Sequence, residues 1–122
     1  MDGDELRDLC LSFICSEETF PFSPGTSVFK VAGKMFALSM LEAEPLAVSV
    51  KCEPGLAEQL REAHPEITAG YHLNKRHWNT VRLDGSLDAA TVADLVEDSY
   101  DLGVSGLPKA RQRALLWRGA AE

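Results

Sequence analysis

The chain has 122 residues, of which 45% are hydrophobic and 25% charged, which suits one buried core and leaves no room for a second. That balance excludes a disordered acidic tail, and no apolar stretch approaches the roughly 20 residues of a membrane-crossing helix. A formal net charge of −7 excludes a generic cationic coat for nucleic acid, because non-specific phosphate binding depends on clustered Lys and Arg displacing counterions.

Asp2 to Ser16 reads as a helix, with Leu6, Leu9, Cys10, Phe13 and Ile14 making one apolar stripe and Asp2 with Glu5 making a capping box. The following FPFSPG contains two prolines and a glycine, so it is expected as a loop with an extended lead-in. From Ser27 the period changes to two. Ser27 to Val31, a turn at Ala32 and Gly33, and KMFALSML form a predicted hairpin. The next strand, LAVSVKC, places Leu46, Val48, Val50 and Cys52 on a buried face, with Ala47, Ser49 and Lys51 opposite.

Pro54 opens a second helix that ends near His64 and Pro65, its inward residues expected to be Leu56, Leu60 and Ala63. HWNTVRL alternates again, with Trp78, Thr80 and Arg82 on one face and His77, Asn79, Val81 and Leu83 on the other. Asp88 caps a long third helix whose inward residues are Val92, Leu95, Val96 and Ser99, with Gly103 and Gly106 ending it. Helices on one face of an antiparallel, half-covered sheet follow from this order: an α+β, two-layer fold. A single domain is expected over 1–106, with 107–122 a basic tail that is part of it or appended to it.

Charge is unevenly spread. Residues 1–70 carry 5 basic and 12 acidic groups, 71–83 carry 3 basic and none acidic, 84–106 carry 6 acidic and none basic, and 107–122 carry 4 basic and 1 acidic. The first positive island is aromatic as well: Tyr71, His72, Asn74, Lys75, Arg76, His77, Trp78, Asn79, Thr80 and Arg82. Cations that hold phosphates beside rings that offer π faces are what a nucleic acid requires. The alternative is architectural, with Tyr71 and Trp78 in the core, Asn79 and Thr80 serving backbone, and Lys75 and Arg76 at a solvated turn. Lys30, Lys34 and Lys51 extend the island across the open sheet or protect strand edges. In the second island, Lys109, Arg111 and Arg113 suit the acidic helix that carries Asp94, Glu97, Asp98 and Asp101.

No catalytic constellation is legible. His64, His72 and His77 lack Cys or carboxylate partners at ligand spacing, so no metal and no cofactor are expected. Cys10 lies in the apolar stripe, where a thiolate is disfavoured, and the odd set Cys10, Cys15 and Cys52 contains no C-x-x-C. Reduced thiols and a start, DGDELRD, unlike a leader peptide point to the cytoplasm.

VFKVAGKMFAL (28–38), VKCEPGLAEQLRE (50–62), YHLNKRHWNTV (71–81) and SYDLGVSGLPKARQR (99–113) resemble the MmcQ/YjbR family in order and spacing, over nearly the whole chain. The resemblance implies a compact α+β fold of frataxin/CyaY-like or secretion-chaperone-like arrangement, and a DNA-binding role through a double wing of hairpins. It carries Tyr71, His72, Asn74, Lys75, Arg76, His77, Trp78, Asn79 and Thr80 as the family block. The expected function is a non-enzymatic binding module in which Lys75, Arg76 and Arg82 contact phosphates and His77 or Trp78 packs on sugar or base, with Lys30 and Lys34 extending the surface. The expected partners are DNA or, alternatively, a protein held in a chaperone-like manner, with no membrane and a monomer or weak homodimer. Weak iron binding by Asp2, Asp4, Glu5 and Asp8 is a third reading.

Overall fold

Ten elements follow one another as α1 (Gly3–Leu11), β1 (Ser16–Thr19), β2 (Ser27–Val31), β3 (Lys34–Ser39), β4 (Ala47–Lys51), α2 (Pro54–Ala63), β5 (Ile67–Ala69), β6 (Trp78–Arg82), α3 (Ala89–Ser105) and α4 (Lys109–Ala121). They belong to a computed structural model that describes residues 1–70, 73–85 and 87–121, residues 119–121 as backbone alone. The strands make one antiparallel sheet in the order β1-β2-β3-β4-β6-β5.

Directly paired residues of an antiparallel ladder point to the same side, so the register sorts the side chains. One side carries Glu18, Phe29, Ala37, Val50, Asn79 and Ala69 in one row and Val48, Val81 and Ile67 in the next. Leu6 and Cys10 of α1 and Val92 and Val96 of α3 close over its apolar members to form the core. The other side carries Thr19, Val28, Leu38, Ser49, Thr80 and Thr68, with Lys30, Lys51 and Trp78 one step along. Where α1, α2 and α3 reach the sheet, they do so on the first side, which gives the expected two layers.

The capping box at Asp2 is present, with Glu5 N–H donating to Asp2 Oδ1 at 2.8 Å and Asp2 N–H to Glu5 Oε1 at 3.2 Å. The helix stops at Leu11 rather than Ser16. Cys15 adopts φ 60°, Ser16 N–H closes the turn onto Phe13 O at 3.2 Å, and the chain enters β1. Phe13 instead joins a tertiary aromatic cluster, stacked on Tyr100 at 4.9 Å and edge-on to Phe36 at 6.0 Å. The β2–β3 turn has positive φ at both Ala32 (49°) and Gly33 (81°), as a tight primed hairpin requires.

Two further expectations change. In α2 the buried residue is Ala57, while Leu56 and Ala63 are exposed, because the helix seats on β6 through Asn79, whose Nδ2 donates to Ala57 O at 3.3 Å. In α3 the helix runs on through Gly103, buried against Val31 and Lys34, and ends at Gly106, whose N–H donates to Leu102 O at 3.2 Å.

β3 carries an extra residue at Phe36, since Phe29 pairs with Ala37 but Lys30 with Met35. Buried Ser99 of α3 serves this irregularity: its Oγ donates to Phe36 O at 2.6 Å and accepts from Lys51 N–H at 2.8 Å. Ser99→Ala strands both backbone groups and is expected to cost about 2 kcal/mol. Urea unfolding should show a lower midpoint at an unchanged slope; a midpoint within error of wild type would contradict this assignment.

Candidate nucleic-acid interface

The family block begins with Tyr71 and His72, which lie outside the described residues. Asn74 builds the turn that follows: its Oδ1 accepts from Arg76 N–H at 3.0 Å, and its carbonyl accepts from His77 N–H at 3.1 Å and Trp78 N–H at 2.9 Å. Neighbouring elements hold the turn from two sides. Cys52 N–H at the end of β4 donates to His77 O at 2.6 Å, and Arg61 of α2 donates through Nη1 to Lys75 O at 3.0 Å and Asn79 Oδ1 at 2.9 Å. Lys75 and Arg76 therefore stand at a braced apex, exposed and without a side-chain partner among the described residues, with His77 half-buried beside them.

Two expected contact residues drop out. Trp78 is 8% exposed, with Gly70 so close that a Cβ there would lie 2.9 Å from Trp78 Cβ, so its ring offers no stacking platform. Arg82 lies at the far end of β6, opposite Ala47, and its Nε donates to Asp84 Oδ1 at 2.7 Å. Asn79, 1% exposed, belongs to the architecture, and Thr80 shares a hydrogen bond with Ser49 at 2.8 Å on the open face.

The remaining cations converge. β2 ends at Val31, β3 starts at Lys34, β4 ends at Lys51 and β6 starts at Trp78, so the ladder brings Lys30, Lys34, Lys51 and the 74–77 turn to one end of the sheet. Lys30 and Lys51 are on the open face, whereas Lys34 falls on the helix side near Gly103. Arg111 and Arg118 of α4 are at this end too, lining with Cys15, Ser16, Glu17, Ala32 and Leu115 a cavity of about 400 Å³. At the opposite end Asp2, Glu42, Glu44 and Asp84 border one depression. The chain is thus electrically polar along its strands. Acids stand at the basic end too: Glu17 faces Lys30 across β1 and β2, and Glu53, Asp98 and Asp101 lie on the helix side.

Neither Arg61, which braces the turn, nor the α4 arginines were singled out for this surface from the sequence. Arg61 could have been noticed only as the cation in the last turn of α2; its targets, Lys75 O and Asn79 Oδ1, lie beyond β5 in sequence.

Among the described residues no group of three His, Cys, Asp or Glu side chains could hold a metal ion, so the acidic start of α1 gives iron no ligand cluster. Burial, aided by the Glu18 carboxylate, pushes the Cys10 thiol up to about 12, and burial likewise raises Cys52. Neither is a nucleophile at neutral pH. Folded Cys10 keeps its proton where the unfolded thiol, near 9, loses it. Stability from this residue is therefore full below about pH 9 and falls as pH rises toward about 12. A chemical-denaturation series over that range should show a shallower fall for Cys10→Ala; an unchanged slope would contradict it. Arg61→Ala should cost about 1–2 kcal/mol and speed amide exchange at 75–78. Unchanged exchange there would mean that the turn holds itself.

Comparison with known proteins places this geometry in a lineage. A family model described as YjbR matches residues 11–102. The chain is 37% identical over 118 residues to Escherichia coli O157:H7 YbdF, covering 93% of this chain and 96% of that one. To YjbR of Escherichia coli K12 it is 36% identical over 116 residues, covering 95% and 98%. The crystal structure of Deinococcus radiodurans DR2400 superposes with a TM-score of 0.87 at 43% identity, over 93% of this chain and 87% of that one. A Pseudomonas syringae protein gives 0.74 at 29% identity, over 84% and 99%. With the family model over most of its length and relatives matched almost end to end, this chain belongs to the YjbR family.

Proposed function

We propose that this protein is a non-enzymatic binding module that takes duplex DNA at the basic end of its sheet. The observation that carries the reading is the convergence of Lys30 and Lys51 on the open face with Lys75 and Arg76 at the braced turn. A net charge of −7 opposes a long contact along a duplex, but the acids gathered at the far end orient the molecule so that the basic end approaches first. His77 is placed to touch a phosphate or sugar. With Trp78 buried, binding rests on phosphate charge and is tolerant of sequence. No helix among the described residues is long and apolar enough to cross a membrane, and the free thiols of Cys10, Cys15 and Cys52 suit the reducing cytoplasm.

Four phosphate contacts give a slope of about −3.6 for log affinity against log salt. Fluorescence anisotropy with a labelled duplex should show binding that weakens accordingly, and Lys75→Ala with Arg76→Ala should flatten the slope by about 2, while Arg82→Ala leaves it unchanged. Absence of binding at low salt would overturn the proposal. One observation favours a protein partner instead: the β1–β2 loop exposes Phe20 (51%) and Phe22 (67%) on either side of Pro21. A stoichiometric protein captured through Phe20 and Phe22, and not displaced by DNA, would establish that alternative.

A further inference from the structure

Two charged helix stripes of the molecule are complementary, and no ion pair joins them among the described residues. In α4, Arg111 and Leu115 face the fold together with Arg118, beside Ala32 and Glu17. The opposite stripe is Lys109, Arg113, Leu116 and Trp117, at the i, i+4, i+7, i+8 spacing of one helix face. It is solvent-exposed throughout, Leu116 by 69% and Trp117 by 77%. Large apolar side chains this exposed beside two cations call for a partner.

α3 carries the matching stripe at the same spacing: Asp94, Asp98, Asp101 and Leu102. The three carboxylates are exposed, and no ion pair involves them among the described residues. Asp98, Asp101 and Leu102 border a groove of about 390 Å³, whose other wall is Cys52, Glu53 and the exposed Leu56 of α2. An apolar floor with an acidic rim suits a cationic amphipathic helix that carries an aromatic anchor.

The helix cannot serve its own groove. Leu107 is buried in the connection from α3, Gln112 Nε2 donates to Leu107 O at 2.8 Å, and Leu115 packs toward the core. These contacts hold α4 on the β1 side of the molecule with its outer stripe turned away.

We infer that the groove between α2 and α3 receives the outer stripe of α4 from a second copy of this chain, and that the exchange is reciprocal about a two-fold axis. Aligned in parallel, the stripes set Lys109 and Arg113 beside Asp94 and Asp98 and bring Leu116 and Trp117 against Leu102 and Leu56. The second copy is the occupant because both halves of the match, charge and apolar anchor, lie on this one sequence. Each reciprocal contact also covers negative charge that would otherwise make two −7 chains repel. The open sheet face takes no part, so this inference stands apart from the DNA reading.

Sedimentation velocity on the full chain, from micromolar to millimolar concentration at low salt, should show a monomer passing to a dimer that dissociates as salt rises. Leu116→Ser with Trp117→Ser should abolish the dimer, and so should Asp98→Lys with Asp101→Lys. All four positions are exposed or at the surface of helices, and circular dichroism checks that the variants fold. An equimolar mixture of the two variants should regain a weaker dimer, since one copy keeps the intact groove and the other the intact helix. In a Trp78→Phe background, Trp117 emission should shift to the blue as the dimer forms. A chain that stays monomeric at low salt overturns the inference, as does a dimer that survives both pairs of substitutions. A monomer whose Trp117 emission shifts only with anionic phospholipid vesicles overturns it in favour of a lipid surface.

Discussion

The pairing of β4 with β6 is the constraint on which the rest depends. Five register pairs, from Ala47 with Arg82 to Lys51 with Trp78, join the β1–β4 meander to the arm that returns through α2 and β5. A slip of one residue would turn Val48 and Val50 of β4 to solvent and drive Lys51 into the core, or would turn Val81 of β6 outward instead, so hydrophobic burial locks the register. The Ser49–Thr80 hydrogen bond on the open face and the Asn79 bonds on the helix side are formed only in this alignment. The alignment also sends Arg82 to the acidic end and puts Lys51 beside the 74–77 turn.

A few buried polar groups then decide where the helices sit. Apolar contact fixes which face is covered but is non-directional. Ser99, bonded to Phe36 O and Lys51 N–H, sets how far α3 slides along the sheet, and Arg61 and Asn79 set α2 against the start of β6. The same Arg61 guanidinium braces the backbone that carries Lys75. Folding and the candidate surface thus share one side chain, and the charged apex is held by a guanidinium bonded to the protein's own backbone and to Asn79.

Much of this was legible from local chemistry. The period-two runs in β2, β3, β4 and β6, the capping box at Asp2, the cap at Asp88 and Pro54 at the start of α2 each depend on neighbours in sequence. The fold class and the YjbR family followed from them and from the YHLNKRHWNTV block. What escaped depends on tertiary partners. β1 has the polar sequence SEET and is a strand because β2 offers it an edge, and β5 is three residues long for the same reason. Phe13 fits the α1 stripe as well as it fits Tyr100, and the left-handed Cys15 decides between them. In the block itself, composition could not separate the exposed Lys75 and Arg76 from the buried Trp78 and the paired Arg82, because alternation and strand direction are what divide them.

The cations gathered at one end of this acidic sheet protein are proposed to meet a phosphate backbone. An amide-resolved NMR titration with a short DNA duplex at low salt tests this proposal most directly. Shifts are expected to cluster at Lys30, Lys34, Lys51 and Lys75 to His77, with Glu42, Glu44 and Asp84 at the far end of the strands unmoved. Shifts centred on the far end, or none at saturating duplex, would contradict it.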